Sequence, residues 1–206
     1  MFTGIVQGTA QLVALTPDQD MLRYRVRFPE GALTEVTLGA SIALDGVCLT
    51  VTEFDAIHAS FDVMQVTREL TNLGQKQPGN ALNFERAMRA NAEIGGHLLS
   101  GHVAGLSQLT EVTPLGHGRL LTFSVPKALA PYLFRKGYIG INGASLTIVE
   151  VEADQFSVSL IPETLRLTTF GDLEVGEAVN IEIDSQTQTI VDTVTRFLAE
   201  RETSGS

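Results

Sequence analysis

The sequence has no tryptophan and a single cysteine, Cys48, in 206 residues. One thiol cannot close a disulfide within the chain, and it cannot make a cysteine-rich zinc module. Basic residues are scarce too: 14 Lys and Arg stand against 24 Asp and Glu, a formal charge of −10. Phosphate backbones and anionic lipid surfaces repel such a chain, so nucleic acid and membranes are poor partners for it. No apolar run approaches the ~20 residues that span a bilayer. The opening MFTGIVQGTA lacks the basic start and long apolar stretch of a signal peptide. P-loop and dinucleotide fingerprints are absent as well. These absences lead us to expect a soluble, cytoplasmic protein, and 44% hydrophobic residues suffice for a packed core.

What is present is a repeat. Gly4-Ile-Val-Gln-Gly-Thr-Ala-Gln-Leu12 recurs as Gly101-His-Val-Ala-Gly-Leu-Ser-Gln-Leu109, an offset of 97. The same offset lays Asp45-Gly-Val-Cys-Leu-Thr-Val51 on Asn142-Gly-Ala-Ser-Leu-Thr-Ile148, and Asn83 and Glu85 on Asn180 and Glu182. Roughly 23 of the 84 pairs from 4–87 against 101–184 are identical, without a gap. Two homologous domains of about 90 residues follow.

Within each repeat the pattern is that of strands. Residues 21–28, MLRYRVRF, alternate apolar and polar, and 41–45 and 49–53 flank a turn at Gly46. Five or six short strands with close turns predict a small closed barrel. Glu30–Thr37 and Lys127–Phe134 are expected as short helices closing one barrel end. Past Asp184 the period changes: Ile190, Val191, Val194, Phe197 and Leu198 form one apolar stripe on a helix starting near Ser185. That stripe packs either on its own barrel or on copies of itself, and residues 202–206 read as a frayed tail. The expected division is a barrel over 1–97, a second over 98–186, and a helix with tail over 187–206.

Function is sought where the copies differ in chemical class. Cys48 faces Ser145, Ser41 faces Tyr138, Ile5 faces His102, Gly39 faces Lys136 and Ala87 faces Asp184. Each has a plain alternative: Cys48 as a small buried hydrophobe, His97 and His102 as structural loop residues, Asp184 as a helix cap. No acidic or thiol group at ligand spacing supports a metal on the two histidines. The turns Gly46-Val-Cys48-Leu-Thr50 and Gly143-Ala-Ser145-Leu-Thr147 put N–H groups and a hydroxyl or thiol on one strand face. Such a face suits a flat heterocycle rich in donors and acceptors, one per domain.

The opening Met1-Phe2-Thr3-Gly4-Ile5-Val6, the run Gly46-Val-Cys48-Leu-Thr-Val51 and Gly95-Gly-His97-Leu-Leu-Ser-Gly-His102-Val103 resemble the alpha-type riboflavin synthases. Ile141-Asn-Gly-Ala-Ser145-Leu-Thr147, Ile161-Pro-Glu-Thr-Leu165 and Val179-Asn-Ile-Glu-Ile-Asp184 extend the resemblance to about residues 1–200. It implies an all-β fold of two tandem six-stranded Greek-key barrels, with a C-terminal helix that assembles a homotrimer. It implies the conversion of two 6,7-dimethyl-8-ribityllumazine molecules into riboflavin and 5-amino-6-(D-ribitylamino)uracil, without metal or redox cofactor. In some relatives lumazine synthase is a further partner, forming a shell around the trimer.

Carried over by resemblance, the first-barrel pocket uses Gly4, Ile5, Val6, Ser41, Cys48, Leu49, Thr50, Asp62, Val63 and Met64, continuing through Gln65, Val66 and Thr67. The second-barrel pocket uses Gly101, His102, Val103, Lys136, Ser145, Leu146, Thr147, Ile161, Pro162, Glu163, Thr164, Leu165 and Arg166. His102 is expected to relay the C7-methyl proton, with Thr147 or Ser145 hydrogen-bonded nearby. Cys48 and Ser41 are expected to steer or add a nucleophile at C7 of the acceptor, and Asp184 to orient groups across a subunit interface. One departure stands out. Copy one reads Val66-Thr-Arg68 where copy two reads Glu163-Thr-Leu165, the family pattern. The alternative function is a non-catalytic lumazine- or flavin-binding antenna, which resembles this chain but loses polar pocket groups.

Overall fold

The computed structural model describes residues 1–204 and contains two closed six-stranded antiparallel barrels followed by one helix. In the first barrel the strands are β1 (Gly8–Asp18), β2 (Met21–Arg27), β3 (Ser41–Leu44), β4 (Val47–Phe54), β5 (His58–Met64) and β6 (Ala81–Arg86). They close in the order β1-β2-β5-β4-β3-β6, so the β2–β3 and β5–β6 connections cross barrel ends in Greek-key fashion. The second barrel repeats the order with β7 (Gly105–Leu115), β8 (Gly118–Ser124), β9 (Tyr138–Ile141), β10 (Ala144–Val151), β11 (Gln155–Leu160) and β12 (Ala178–Ile183). Even the register irregularities repeat, Leu12/Ala14 with Leu109/Glu111 and Val51/Glu53 with Ile148/Glu150.

The β3–β4 and β9–β10 hairpins turn on Asp45-Gly46 and Asn142-Gly143, all four with positive φ. Two successive left-handed residues make the tight turn whose twist matches its strands, and Asp-Gly and Asn-Gly suit it best. The segments expected as end-closing helices are corrected. Residues 30–35 form successive turns, because Gly31 and Glu35 sit at φ 79° and 60° and break any helix. Around Pro131 only a 3-10 turn over Ala130–Tyr132 forms. Both still plug their barrels, through buried Leu33 and Val36 in one and Leu129 and Leu133 in the other. Two six-residue helices that periodicity did not reveal, α1 (Gln65–Leu70) and α2 (Pro162–Leu167), follow β5 and β11.

Helix α3 (Ser185–Ser204) runs through residues 202–204, so the expected tail begins later, and the last two residues lie outside the described residues. Asp184 caps it, its Oδ2 accepting from Thr187 N at 2.9 Å and Thr187 Oγ1 at 2.8 Å. The apolar stripe is not laid on the barrel: Ile190, Val194, Phe197 and Leu198 are all more than half exposed.

The barrels meet about a pseudo-twofold axis. On it Phe2 and Leu99, mates in the repeat, exchange backbone hydrogen bonds of 2.8 and 3.0 Å. Gly46 lies against Gly143 so closely that a Cβ on Gly46 would stand 2.7 Å from Gly143 N. A buried amide network joins the halves: Asn180 Oδ1 accepts from Asn72 N, Asn83 Oδ1 accepts from Thr169 N, and each asparagine amide donates to the other barrel's turn carbonyl. The network departs from symmetry at Asn72, whose side chain joins it while that of its mate Thr169 does not, and at one ion pair. Asp45 is fully buried and takes Lys76 Nζ at 3.1 Å, whereas their mates are Asn142 and Leu173.

Burial holds the Asp45 carboxyl above the ordinary range, opposed by Lys76 and by Asn83 and Asn72 hydrogen bonds. Lys76→Leu is therefore expected to cost about 3 kcal/mol, by leaving a buried charge unpaired. Asp45→Asn in addition, the second barrel's own pairing, should recover most of it. Because the folded-state pKa rises above the unfolded value, the loss should be largest at neutral pH and shrink as the pH falls through that raised pKa. Urea denaturation of both variants at pH 5 and 8 checks this.

Candidate functional site

The chain segments ahead of each barrel, residues 1–7 and 98–104, act as arms, and they cross. Residue Gly4 does not reach the first barrel's β4; its carbonyl accepts from Ser145 N in the second at 2.8 Å. Gly101 in turn accepts from Cys48 N in the first at 3.0 Å. The pairing expected from the sequence, Gly4–Val6 with the first barrel and Gly101–Val103 with the second, is thus corrected. Equivalence under the repeat identifies which residues correspond, and the pseudo-twofold exchanges the partners they touch. Val6 belongs to the second barrel's core and Val103 to the first's.

Glycine is required where each arm presses on its strand. Gly4 and Gly101 have φ of 72° and 82°, and a Cβ on either would stand 2.5 Å from the Cβ of Ser145 or Cys48. Each arm is clamped by a carboxylate from its own barrel. Glu85 accepts from Thr3 N, Thr3 Oγ1 and Gly4 N at 2.6, 2.8 and 2.9 Å. Glu182 accepts from Ser100 N, Ser100 Oγ and Gly101 N at 2.6, 2.7 and 3.1 Å. Burial raises both carboxyl pKa values, and these hydrogen bonds pull them back. Sequence reading matched Glu85 with Glu182 but gave them no role; an identical acid at the end of two apolar strands was the available signal.

The first mouth is a cavity of about 250 Å³ lined by Val47, Cys48, Val66, Thr67, Leu70, Thr71, Gly101, His102 and Val103. It gathers Cys48, Thr67 and exposed His102. Thr50 is exposed on the same strand and pairs with Ser41 on β3. Leu49 and Val63 point into the barrel core, so they offer a ligand only backbone. The Asp62 carboxylate is already held by Arg23, with Nε and Nη2 at 2.7 and 3.1 Å. Met64 and Gln65 are exposed at the rim. Val66 makes the mouth more apolar than its counterpart, while the buried Arg68 Nε has no hydrogen-bond partner among the described residues.

The second mouth gathers Gly4, exposed Ile5 and Ser145 with His97 and Tyr138, neither of which the sequence assigned to a pocket. Ser145 Oγ lies 2.6 Å from His97 Nδ1, and the His97 ring stacks on Tyr138 at 5.1 Å. Thr147 is exposed and pairs with Tyr138 across the strands; Leu146 is half-buried. Ile161, Pro162, Glu163 and Arg166 are exposed on and before α2, and Thr164 and Leu165 are half-buried. Glu163 pairs with Arg166 at 2.6 and 3.0 Å. Lys136 is exposed at φ 64°, where its mate Gly39 has φ 81°. Placing a lysine in a glycine conformation costs of order 1 kcal/mol.

Within one chain His102 and Ser145 serve different mouths. No hydrogen bond joins His102 to Ser145 or Thr147 among the described residues, and the imidazole next to Ser145 is that of His97. Asp184 lies near enough to His97 to raise its pKa against the lowering effect of burial. No group of His, Cys, Asp and Glu among the described residues could hold a metal ion.

If the clamps hold the arms, Glu182→Leu should strip three donors of their acceptor and cost about 3 kcal/mol. Amide hydrogen exchange should speed at Ser100 and Gly101 in that variant, and at Thr3 and Gly4 in Glu85→Leu.

Comparison with known proteins agrees with the twofold repeat of the fold. The lumazine binding domain family matches twice, over residues 3–87 and 100–184. Riboflavin synthase of Escherichia coli (strain K12) is 47% identical over 203 residues, 98% of this chain and 95% of that protein. Riboflavin synthase of Chlamydia pneumoniae is 43% identical, covering 97% and 98%. The crystal structure of LumP complexed with 6,7-dimethyl-8-(1'-D-ribityl) lumazine superposes with a TM-score of 0.81 at 28% identity, over 90% of this chain and all of that one.

Proposed function

The chain belongs to the riboflavin synthase family, with two lumazine binding domains in tandem, and from that premise we propose how its residues share the reaction. The activity is that of a transferase: a four-carbon unit passes from one 6,7-dimethyl-8-ribityllumazine to another, giving riboflavin and 5-amino-6-(D-ribitylamino)uracil. The observation that carries the residue-level reading is the pair of equivalent mouths, each a β-hairpin face roofed by the other half's arm. Two like mouths suit a reaction whose two substrates are the same molecule.

In this reading a lumazine sits in each mouth, and the catalytic site forms where the first-barrel mouth of one copy faces the second-barrel mouth of the next. Opposed stacking of two rings lowers the barrier by about 7–11 kcal/mol through placement alone. His102 takes the proton from the C7 methyl group, whose anion spreads over the ring the substrate itself provides. Cys48 and Ser41 act at C7 of the acceptor, Thr147 and Ser145 hydrogen-bond the second ring, and Lys136 supplies positive charge. Asp184 reaches across the subunit boundary from its capping position. A division near 97 and 186 leaves one barrel in each of the first two parts, with the first two residues of α3 on the second barrel's side. The exposed stripe Ile190, Val194, Phe197 and Leu198 favours self-association through α3, and the family resemblance makes that assembly a homotrimer. A reduced free Cys48 suits the cytoplasm.

Purified protein incubated with dimethylribityllumazine should accumulate riboflavin, followed by its absorbance. Bound, fluorescent lumazine without any riboflavin would instead mean the antenna reading. His102→Gln should slow a single turnover by about 100-fold. Val194→Glu with Phe197→Glu should give monomers by analytical ultracentrifugation, with the barrels' circular dichroism intact and turnover lost.

A further inference from the structure

His97 has no mate in the repeat, because 97 less the offset falls before the first residue. It is 7% exposed, and its ring lies nearly parallel to Tyr138, the planes at 17°. Both its backbone N–H, at 3.2 Å, and its Nδ1, at 2.6 Å, meet Ser145 Oγ. Its Nε2 is buried and has no hydrogen-bond partner among the described residues.

A donor count assigns the hydrogens. Burial draws the imidazole pKa down, with Asp184 opposing, so the ring is neutral near pH 7 and one nitrogen carries the proton. A proton on Nε2 would leave a buried N–H orphaned, which folded proteins almost never tolerate; a bare Nε2 lone pair is the smaller cost. The proton therefore sits on Nδ1 and is donated to Ser145 Oγ. That oxygen then accepts two hydrogens, from Nδ1 and from the backbone N–H, and both of its lone pairs are used. The remaining direction is that of its own O–H.

We propose that His97 is a positioning residue that turns the Ser145 hydroxyl into an obligate donor toward the ring bound at the second mouth. The inference rests on the lumazine reading above and adds the sign of the contact. Ser145 is presented to an acceptor, a ring carbonyl or ring nitrogen, and not to the imide N–H. A fixed donor aimed at a ring that gains negative charge strengthens as the charge develops. The first mouth is built differently: Cys48 stands where Ser145 does, and Ser41 stands where Tyr138 does. Tyr138 holds the imidazole plane that aims the bond.

The test separates this role from a structural one. His97→Phe keeps an aromatic ring on Tyr138 and removes both nitrogens; it should lower kcat roughly 10- to 100-fold with KM changed less than about threefold. His97→Asn, whose amide can donate from the Nδ1 position, should recover most of that loss. Ser145→Ala should cost about as much as His97→Phe, and the double variant no more than either alone. An equal additional loss from His97→Phe in the Ser145→Ala background would overturn the proposal. So would rescue failure in a His97→Asn protein with an unchanged urea midpoint. A readout independent of turnover keeps the two readings apart: the 15N shifts of His97 in the wild-type protein should show a protonated Nδ1 and a bare Nε2. The opposite tautomer overturns the proposal even if riboflavin forms. A wild-type protein with this tautomer and no riboflavin defeats the enzyme reading alone.

Discussion

Backbone touches backbone where Gly46 meets Gly143, and that contact sets the spacing of everything else. No side chain fits between the turns, so the hairpin tips of both barrels are drawn to the pseudo-twofold axis. The asparagine network then finds its partners across the axis, and the arms find a strand within reach on the other barrel. Had either glycine carried a Cβ, the barrels would stand apart and the arms would be drawn from their strands. The mouths exist because both turns have glycine at the point of contact.

Much of the fold was legible in the sequence. Alternation marked β2, the Asp-Gly and Asn-Gly turns marked the hairpins, and the stripe from Ile190 to Leu198 marked α3. The offset of 97 gave two barrels without any strand needing to be exact. The short helices α1 and α2 were not legible, since six residues carry too few turns for a periodic signal. The expected helices at 30–37 and 127–134 failed because left-handed residues and an internal proline override their composition.

The candidate site was legible in its membership more than in its wiring. Cys48, Thr67, His102 and Val103 were all singled out in the sequence and share one cavity, although the first two were expected in one pocket and the last two in the other. Which barrel each arm serves was not readable, because a repeat tells which residues are equivalent and is silent on exchange. His97 was noted with His102 as a structural loop residue, but its tie to Ser145 was not read. Divergence between mates was the signal sought, and a residue without a mate cannot diverge.

The crossed arms say something about how such a chain could arise. A half of about 97 residues holds an arm and a mouth that do not meet within it, because each needs the strand of another copy. Two free halves would complete themselves only as a swapped dimer, at the mercy of concentration. Joined head to tail, they hold each other at the fixed effective concentration of a short linker, whatever the dilution. Fusion also frees the halves to differ, which identical partners in a symmetric dimer never can. The Asp45–Lys76 pair on one side only, and the lone histidine in the linker itself, are differences that only a fused chain can encode.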